Sequence, residues 1–245
     1  MYAVGIITAP RRGTAYIGQS LNSYFEEWNI SPHVFAEPGT PPYVNRTKVT
    51  QHDRASTLGC VMNWFRAATE MLRLSDEPFI MMCEDDIAWV PGSKGKLDDL
   101  LRVLTGENYN RVLQEALPLE KIGFISPWCS YANRPKENGW RPPRMKGPGW
   151  CGSLATVFPR ASLAKLVSDE ERFLHYTQSQ HRIPGYIHLD YAIGQIIHKV
   201  EQMIILTHAP SLIQHIGEIS TFEKNNNLNV PDAFLKSRQS FDGTL

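Results

Sequence analysis

The sequence predicts an α/β fold in which helices cover both faces of a mostly parallel central sheet. Three observations carry this expectation. Apolar runs of strand length alternate with amphipathic stretches in β-α-β-α-β order over residues 2–83. The strand runs lack the polar alternation of a half-exposed sheet, so they are expected to be buried on both faces. No internal repeat or long low-complexity segment interrupts them.

The first strand is "YAVGIIT", residues 2–8, a β-branched apolar run that ends before Pro10. "TAYIGQSLNSYFEEW" follows as a helix behind a Thr14 cap, with Ile17, Leu21, Tyr24, Phe25 and Trp28 at helical spacing. "PHVFAEPG" is a short second strand stopped by Pro38 and Gly39. "ASTLGCVMNWFRAATEMLRL" is a second helix, with Leu58, Val61, Phe65, Ala68 and Leu72 on one side, and "FIMMC" is the third strand. Farther on, "KIGFIS" and "GSLATVFP" are predicted strands and "RASLAKLV" and "DYAIGQIIHKV" helices. "QMIILTHAPSLIQHIG" supplies one or two closing strands. These elements make one domain over residues 1–217. Residues 218–245 are polar and Asn-rich, with too little apolar periodicity for a core, and are expected to form a tail or lid.

Composition narrows the class. With 42% hydrophobic residues in 245, the chain can build an ordinary globular core. Its 25 basic and 25 acidic residues cancel, so any attraction to nucleic acid must come from a local patch. The longest apolar runs fall well short of the ~20 residues of a membrane span, and the N-terminus lacks the order of a signal peptide, so the cytoplasm is the expected compartment. Cys60, Cys83, Cys129 and Cys151 form no C-x-x-C pair and are expected to be reduced, mostly buried thiols.

The chemistry concentrates in "FIMMCEDDIAWV", residues 79–90, where Glu84, Asp85 and Asp86 follow a buried strand. Adjacent carboxylates repel one another and lose hydration there, so they need a cation or several donors. A divalent metal supplies the first and also binds phosphate oxygens. A helix N-terminal acid cluster or a solvated turn would show the same residues. Ligands of parallel α/β sheets gather at the carboxyl ends of strands, where this cluster is expected to lie.

The "EDD" after an apolar strand, preceded by strand-helix-strand-helix, resembles the D-x-D element of GT-A glycosyltransferases. The closing "PSLIQHIGEIST" is similar to the PSL-x-QH-x-G-x-x-S stretch of the N-acetylglucosaminyltransferase IV type within that group. The likeness runs from the first strand to about Ser220; between the two motifs it consists of the order of elements. The chain is shorter than those enzymes and lacks their anchor, so their glycoprotein acceptor does not carry over.

The resemblance implies a GT-A fold, a nucleotide diphosphate sugar donor, a UDP-sugar first, and a divalent metal. It makes Asp86 the metal ligand, Glu84 and Asp85 neighbours of the ribose and sugar, and His215 a second metal ligand. An imidazole favours Mn²⁺ over Mg²⁺. Thr8, Pro10, Arg11 and Arg12 follow the first strand, where base and ribose would sit, and Arg54 precedes the second helix as a further donor contact. Asp190 opens a helix downstream, where inverting members place their catalytic base; an N-cap aspartate would look the same. Sequence spacing does not report which face of the sugar is attacked.

Residues 132–150, "ANRPKENGWRPPRMKGPGW", form a basic, Trp- and Pro-rich insertion between two predicted strands. Trp140, Arg141, Arg144, Lys146 and Trp150 are candidate acceptor contacts, cations for phosphates and indoles for bases or sugars. Two acceptors fit: phage DNA carrying a hydroxymethylated pyrimidine such as 5-hydroxymethylcytosine, and a saccharide or lipopolysaccharide. A solvated loop is the plain alternative. A non-catalytic nucleotide- or glycan-binding protein would share the fold, and a phosphohydrolase or nucleotidyltransferase would share the metal and carboxylates.

Overall fold

The structure is a computed structural model that describes residues 1–10, 16–40, 49–106, 117–130, 134–143, 152, 154–178 and 189–217. The strands are β1 (Tyr2–Thr8), β2 (His33–Ala36), β3 (Thr50–Asp53), β4 (Phe79–Glu84), β5 (Ile87–Trp89), β6 (Ile122–Ser126), β7 (Gly139–Arg141), β8 (Ala155–Pro159), β9 (Ile204–Ala209) and β10 (Ile213–His215). The helices are α1 (Ile17–Glu27), α2 (Gly59–Leu74), α3 (Ser93–Leu104), α4 (Arg160–Leu166), α5 (Glu170–Gln178) and α6 (Leu189–Gln195), the last continued by a π-helical turn, Ile196–Val200.

Eight strands form one sheet in the order β3-β2-β1-β4-β8-β6-β9-β7, and β5 pairs with β10 in a small second sheet. β1, β2, β3 and β4 run parallel, as do β6 and β9. β8 runs against both β4 and β6, and β7 against β9. The expected class, an α/β domain with a mostly parallel sheet between helices, is the one observed. The parallel strands therefore end on one edge, at Thr8, Ala36, Asp53, Glu84, Ser126 and Ala209.

The absence of polar alternation has the expected cause. Phe79, Ile80, Met81 and Met82 of β4 are all fully buried, with alternate residues entering the two cores on opposite faces of the sheet. On one face, Ile17, Leu21, Tyr24 and Trp28 of α1 pack with Phe79, Met81 and Trp89. On the other, Val61, Phe65 and Ala68 of α2 pack with Ile80 and Met82 and with the helices after β8. Trp64 lies fully buried beside them and stacks on Phe173 of α5. Leu58 and Leu72, expected on the same stripe, are only half-buried. β3, β5, β7, α3 and α5 are not among the elements anticipated from sequence. The Thr14 cap, Cys151 and the 218–245 tail lie outside the described residues. Cys60 is exposed, whereas burial pushes the thiols of Cys83 and Cys129 up to about 12. No helix among the described residues is long and apolar enough to cross a membrane.

The β2–β3 edge holds a pair of histidines. His33 Nδ1 and His52 Nε2 are 3.0 Å apart, and the His52 ring stacks on Phe35 at 4.8 Å. A hydrogen bond between two ring nitrogens requires one of them unprotonated. Burial lowers both pKa values below the ordinary 6.5; at His52, Glu70 and Asp53 oppose the shift and Arg54 adds to it. A base with a lowered folded pKa is protonated first in the unfolded chain, so its stabilising effect is full above about pH 6.5 and falls as the pH drops below that value. Thermal midpoints are therefore expected to fall between about pH 7.5 and about pH 5.5, and to fall less in His52→Gln. Equal slopes in the two proteins would contradict the role given to the pair.

Candidate active site

The three acids at the end of β4 are each met by a different part of the fold. Glu84 is half-buried and its main-chain N–H donates to Leu154 O at 2.9 Å, which ties it to the segment entering β8. Asp85, only 2% exposed, accepts the Thr8 hydroxyl at 2.5 Å from the end of the neighbouring strand β1. Asp86, only 1% exposed, faces His215, whose Nε2 is 3.1 Å from Asp86 Oδ2.

The last contact spans 129 residues and is set by backbone pairing. β5 begins directly after Asp86, and β10 pairs with it antiparallel, His215 opposite Ile87. The ladder is extended at both ends, by Val90 N–H to Leu212 O and by Ile216 N–H to Asp86 O, each 2.9 Å. His215 is thereby fixed beside the carboxylate by main chain alone. Gly217 follows two residues after His215, and a Cβ there would stand 2.2 Å from Asp86 Oδ2. The glycine of "QHIG" is therefore needed for the close approach of the backbone to the carboxylate.

Asp190 reaches the same edge from a third direction. It opens α6, its Oδ1 accepting Tyr191 N–H and its Oδ2 accepting Gly152 N–H, both at 2.8 Å. Gly152 lies two positions before Leu154, which is hydrogen-bonded to Glu84. Because β8 runs against β4, with Ala155 opposite Cys83, the loop holding Gly152 emerges beside the carboxylates. Thr8, Glu84, Asp85, Asp86, His215 and Asp190 thus belong to one edge of the sheet.

The donor chemistry suits a divalent cation. Two ligands each about 2.1 Å from one octahedral ion stand about 3 Å apart when adjacent, and Asp86 Oδ2 and His215 Nε2 are separated by 3.1 Å. Among the described residues no third His, Cys, Asp or Glu joins them in a metal-holding group. The other coordination positions would fall to ligands such as phosphate oxygens and water.

Other expected site residues are placed differently. Pro10 is exposed beside Gly39 at the end of β1, and Arg11 and Arg12 lie outside the described residues. Arg54, expected to contact a donor, is engaged within the fold. Its Nε donates to Asn63 Oδ1 at 2.9 Å, its Nη1 pairs with Glu70, and its guanidinium lies 5.0 Å from the Phe35 ring centre. These partners come from α2 and β2, so the arginine joins the helix to the sheet. Trp140 is 3% exposed, donates its indole N–H to Lys96 O at 3.2 Å and meets His208 edge-on. It is a core residue and not an open stacking platform, because β7 pairs with β9 and turns the indole inward. Arg141 pairs with Glu137 at 3.1 Å. Arg144, Lys146 and Trp150 lie outside the described residues.

Trp128 and Gly152 were not among the expected site residues. Position 152 has φ +116, and a Cβ there would overlap the Trp128 ring. "GPGWCG" shows several glycines, but nothing in its spacing says which one meets a ring.

No protein-family model matches the chain, and no curated protein matches its sequence. Solved structures do align with it. Mouse xyloside xylosyltransferase 1, in its apo form, aligns over 98% of this chain and 94% of its own with 11% identity and a TM-score of 0.49. S. aureus TarS 1–349 aligns over 67% of this chain with 12% identity and a TM-score of 0.45. The aligned region spans 48% of that TarS chain. Similarity at this level says nothing about substrate or reaction.

Replacing Gly217 by Ala forces the new methyl group against Asp86 and should destabilise the protein by about 1–3 kcal/mol, as overpacking of a closed site does. Urea denaturation measures it; a midpoint equal to wild type would show that the backbone at 217 can yield.

Proposed function

We propose that this chain is a metal-dependent GT-A glycosyltransferase that moves a sugar from a nucleotide diphosphate sugar, a UDP-sugar, to an acceptor hydroxyl with inversion. The observation that supports it most is the Asp86–His215 pair, closed by main-chain pairing at the carboxyl edge of a mostly parallel sheet, with Asp190 in the first turn of α6 bonded to Gly152 of the segment entering β8.

In this reading Asp86 and His215 hold Mn²⁺ or Mg²⁺, and such a cation, when bound, neutralises the donor diphosphate and makes it a better leaving group. Thr8 and Asp85 form the floor beneath the donor, and Glu84, Pro10, Arg11 and Arg12 border it. Asp190 takes the proton of the acceptor hydroxyl as its oxygen bonds to the anomeric carbon. The bond from that carbon to the diphosphate oxygen breaks, and its electron pair leaves with the nucleotide. The two N–H donors on Asp190 hold its carboxylate in one orientation for this step.

The acceptor in this reading is the hydroxymethyl group of 5-hydroxymethylcytosine in phage DNA, flipped out of the stack to reach the donor, and the compartment is the host cytoplasm. Its support is the basic 132–150 segment, whose strand β7 begins opposite Ala209 at the carboxyl edge. Arg141, Arg144 and Lys146 would meet phosphates and Trp150 a base, with Trp140 anchoring the segment from the core. A saccharide acceptor is the second reading. It is favoured by the burial of Trp140 and the Arg141–Glu137 pair, which withdraw one indole and one cation from a nucleic-acid surface.

Asp86→Ala should abolish Mn²⁺-dependent UDP binding in calorimetry, while Asp190→Asn should keep that binding and lose about 10²–10⁴-fold in kcat. Full activity in Asp190→Asn would remove the base from the mechanism. The acceptor is tested by nucleoside mass spectrometry after incubation with Mn²⁺, a panel of nucleotide sugars, and DNA with or without 5-hydroxymethylcytosine. A hexose or pentose mass on the modified base alone is expected. Metal-dependent donor hydrolysis without any addition to DNA would select the saccharide reading.

A further inference from the structure

Trp128 follows the end of β6 and faces Gly152, and its main chain is fixed from several sides. Its carbonyl accepts the hydroxyls of Ser126 at 2.9 Å and Thr207 at 2.8 Å, both from fully buried residues. On either side, Pro127 O accepts Leu212 N–H at 2.8 Å and Cys129 N–H donates to Ser211 Oγ at 3.3 Å. The indole, 2% exposed, is thereby tied to β6 and to the β9–β10 connection.

Gly152 rests on the benzene half of that indole. A Cβ at 152 would lie 1.8 Å from Trp128 Cζ3 and 2.1 Å from Cε3, separations that no side chain could occupy. The ring therefore fixes how the glycine backbone lies, and the same glycine gives its N–H to Asp190 Oδ2 at 2.8 Å. We propose that Trp128 is a positioning residue for the Asp190 carboxylate, acting through the Gly152 backbone. The proposal rests on the reading of Asp190 as the base and adds to it a residue that touches neither substrate nor metal. Residues 207–215 then serve two purposes, since their far end brings His215 to Asp86 and their near end holds the Trp128 platform.

The direct test is amide hydrogen exchange at Gly152, followed by ¹⁵N NMR in the full chain, for wild type, Trp128→Phe, Trp128→Ala and Asp190→Ala. Phe lacks the outer ring that meets the glycine, so both Trp128 variants should exchange Gly152 at least about tenfold faster, as Asp190→Ala should by losing the acceptor. In transfer assays the Trp128 variants should lose about 10–100-fold in kcat with the donor KM little changed. Gly152→Ala should lose at least as much, since its Cβ meets the ring and φ +116 strains any side chain at this position. Wild-type Gly152 exchange in a folded Trp128→Phe or Trp128→Ala variant would overturn the coupling. The exchange measurement needs no turnover, so a wild-type protein that transfers no sugar would overturn the proposed function and leave this coupling to be judged by exchange alone.

Discussion

Three consecutive carboxylates at the end of a buried strand are the constraint on which the rest of this structure depends. Two like charges about 4 Å apart repel by about 4 kcal/mol at an effective dielectric of 20, and burial adds a desolvation cost to each. The fold meets this one residue at a time. β1, lying directly beside β4, ends in the hydroxyl that serves Asp85, and the chain returns more than a hundred residues later as β10 to bring an imidazole to Asp86. Glu84, the least buried of the three, is tied through its main chain to the segment entering β8. The small β5–β10 sheet buries Ile87, Trp89 and Ile213 in the core beside α1, and from that anchorage it closes over the acid.

The antiparallel strand β8 has a complementary part. In a wholly parallel sheet every loop at the carboxyl edge leaves a strand; here the segment before β8 enters a strand instead, between β4 and β6, as the one before β7 does at the sheet's end. That reversal puts Gly152 and Leu154 against the end of β4 and gives α6 a fixed point to which Asp190 bonds. In the proposed function, the base and the Asp86–His215 pair are then carried by different elements, α6 on one hand and the β5–β10 pair on the other.

Much of this was legible in the sequence wherever one residue's environment is dictated by its neighbours in the chain. The unbroken apolar run of "FIMMC" indicated a two-sided strand, and the helical stripes of α1 and α2 indicated the faces that cover it. His215 was expected near the acids only through the resemblance of "PSLIQHIGEIST", and it is in contact with Asp86. Helix α3 went unread although Leu97, Leu100, Leu101 and Leu104 recur at helical spacing, whereas two of the unread strands lack such local signals. β3 is "TQHD", an edge strand whose polar side chains show no pattern until β2 pairs with it, and β5, "IAW", is too short to display a period. Arg54 and Trp140 have the residue types of a binding surface, but Asn63, Glu70 and Phe35 capture the first and a strand pairing turns the second inward. Those captures are tertiary, as is the meeting of Trp128 with Gly152, and spacing along the chain carries no trace of them.

The burial of Trp140 changes what the basic segment can be. A free Pro-rich loop with two indoles would wave its cations over a wide area and lose entropy on meeting any ligand. With one indole packed against His208 and hydrogen-bonded to Lys96, the segment's residues 139–141 are an edge strand paired with β9, and Gly139 sits opposite Ala209 at the carboxyl edge. Charged side chains on such an edge also discourage pairing with another sheet, so Arg141 and its partner Glu137 have a reason to be there that involves no ligand. In the proposed function, acceptor recognition by this segment would therefore rest on its remaining cations and not on Trp140 or Arg141.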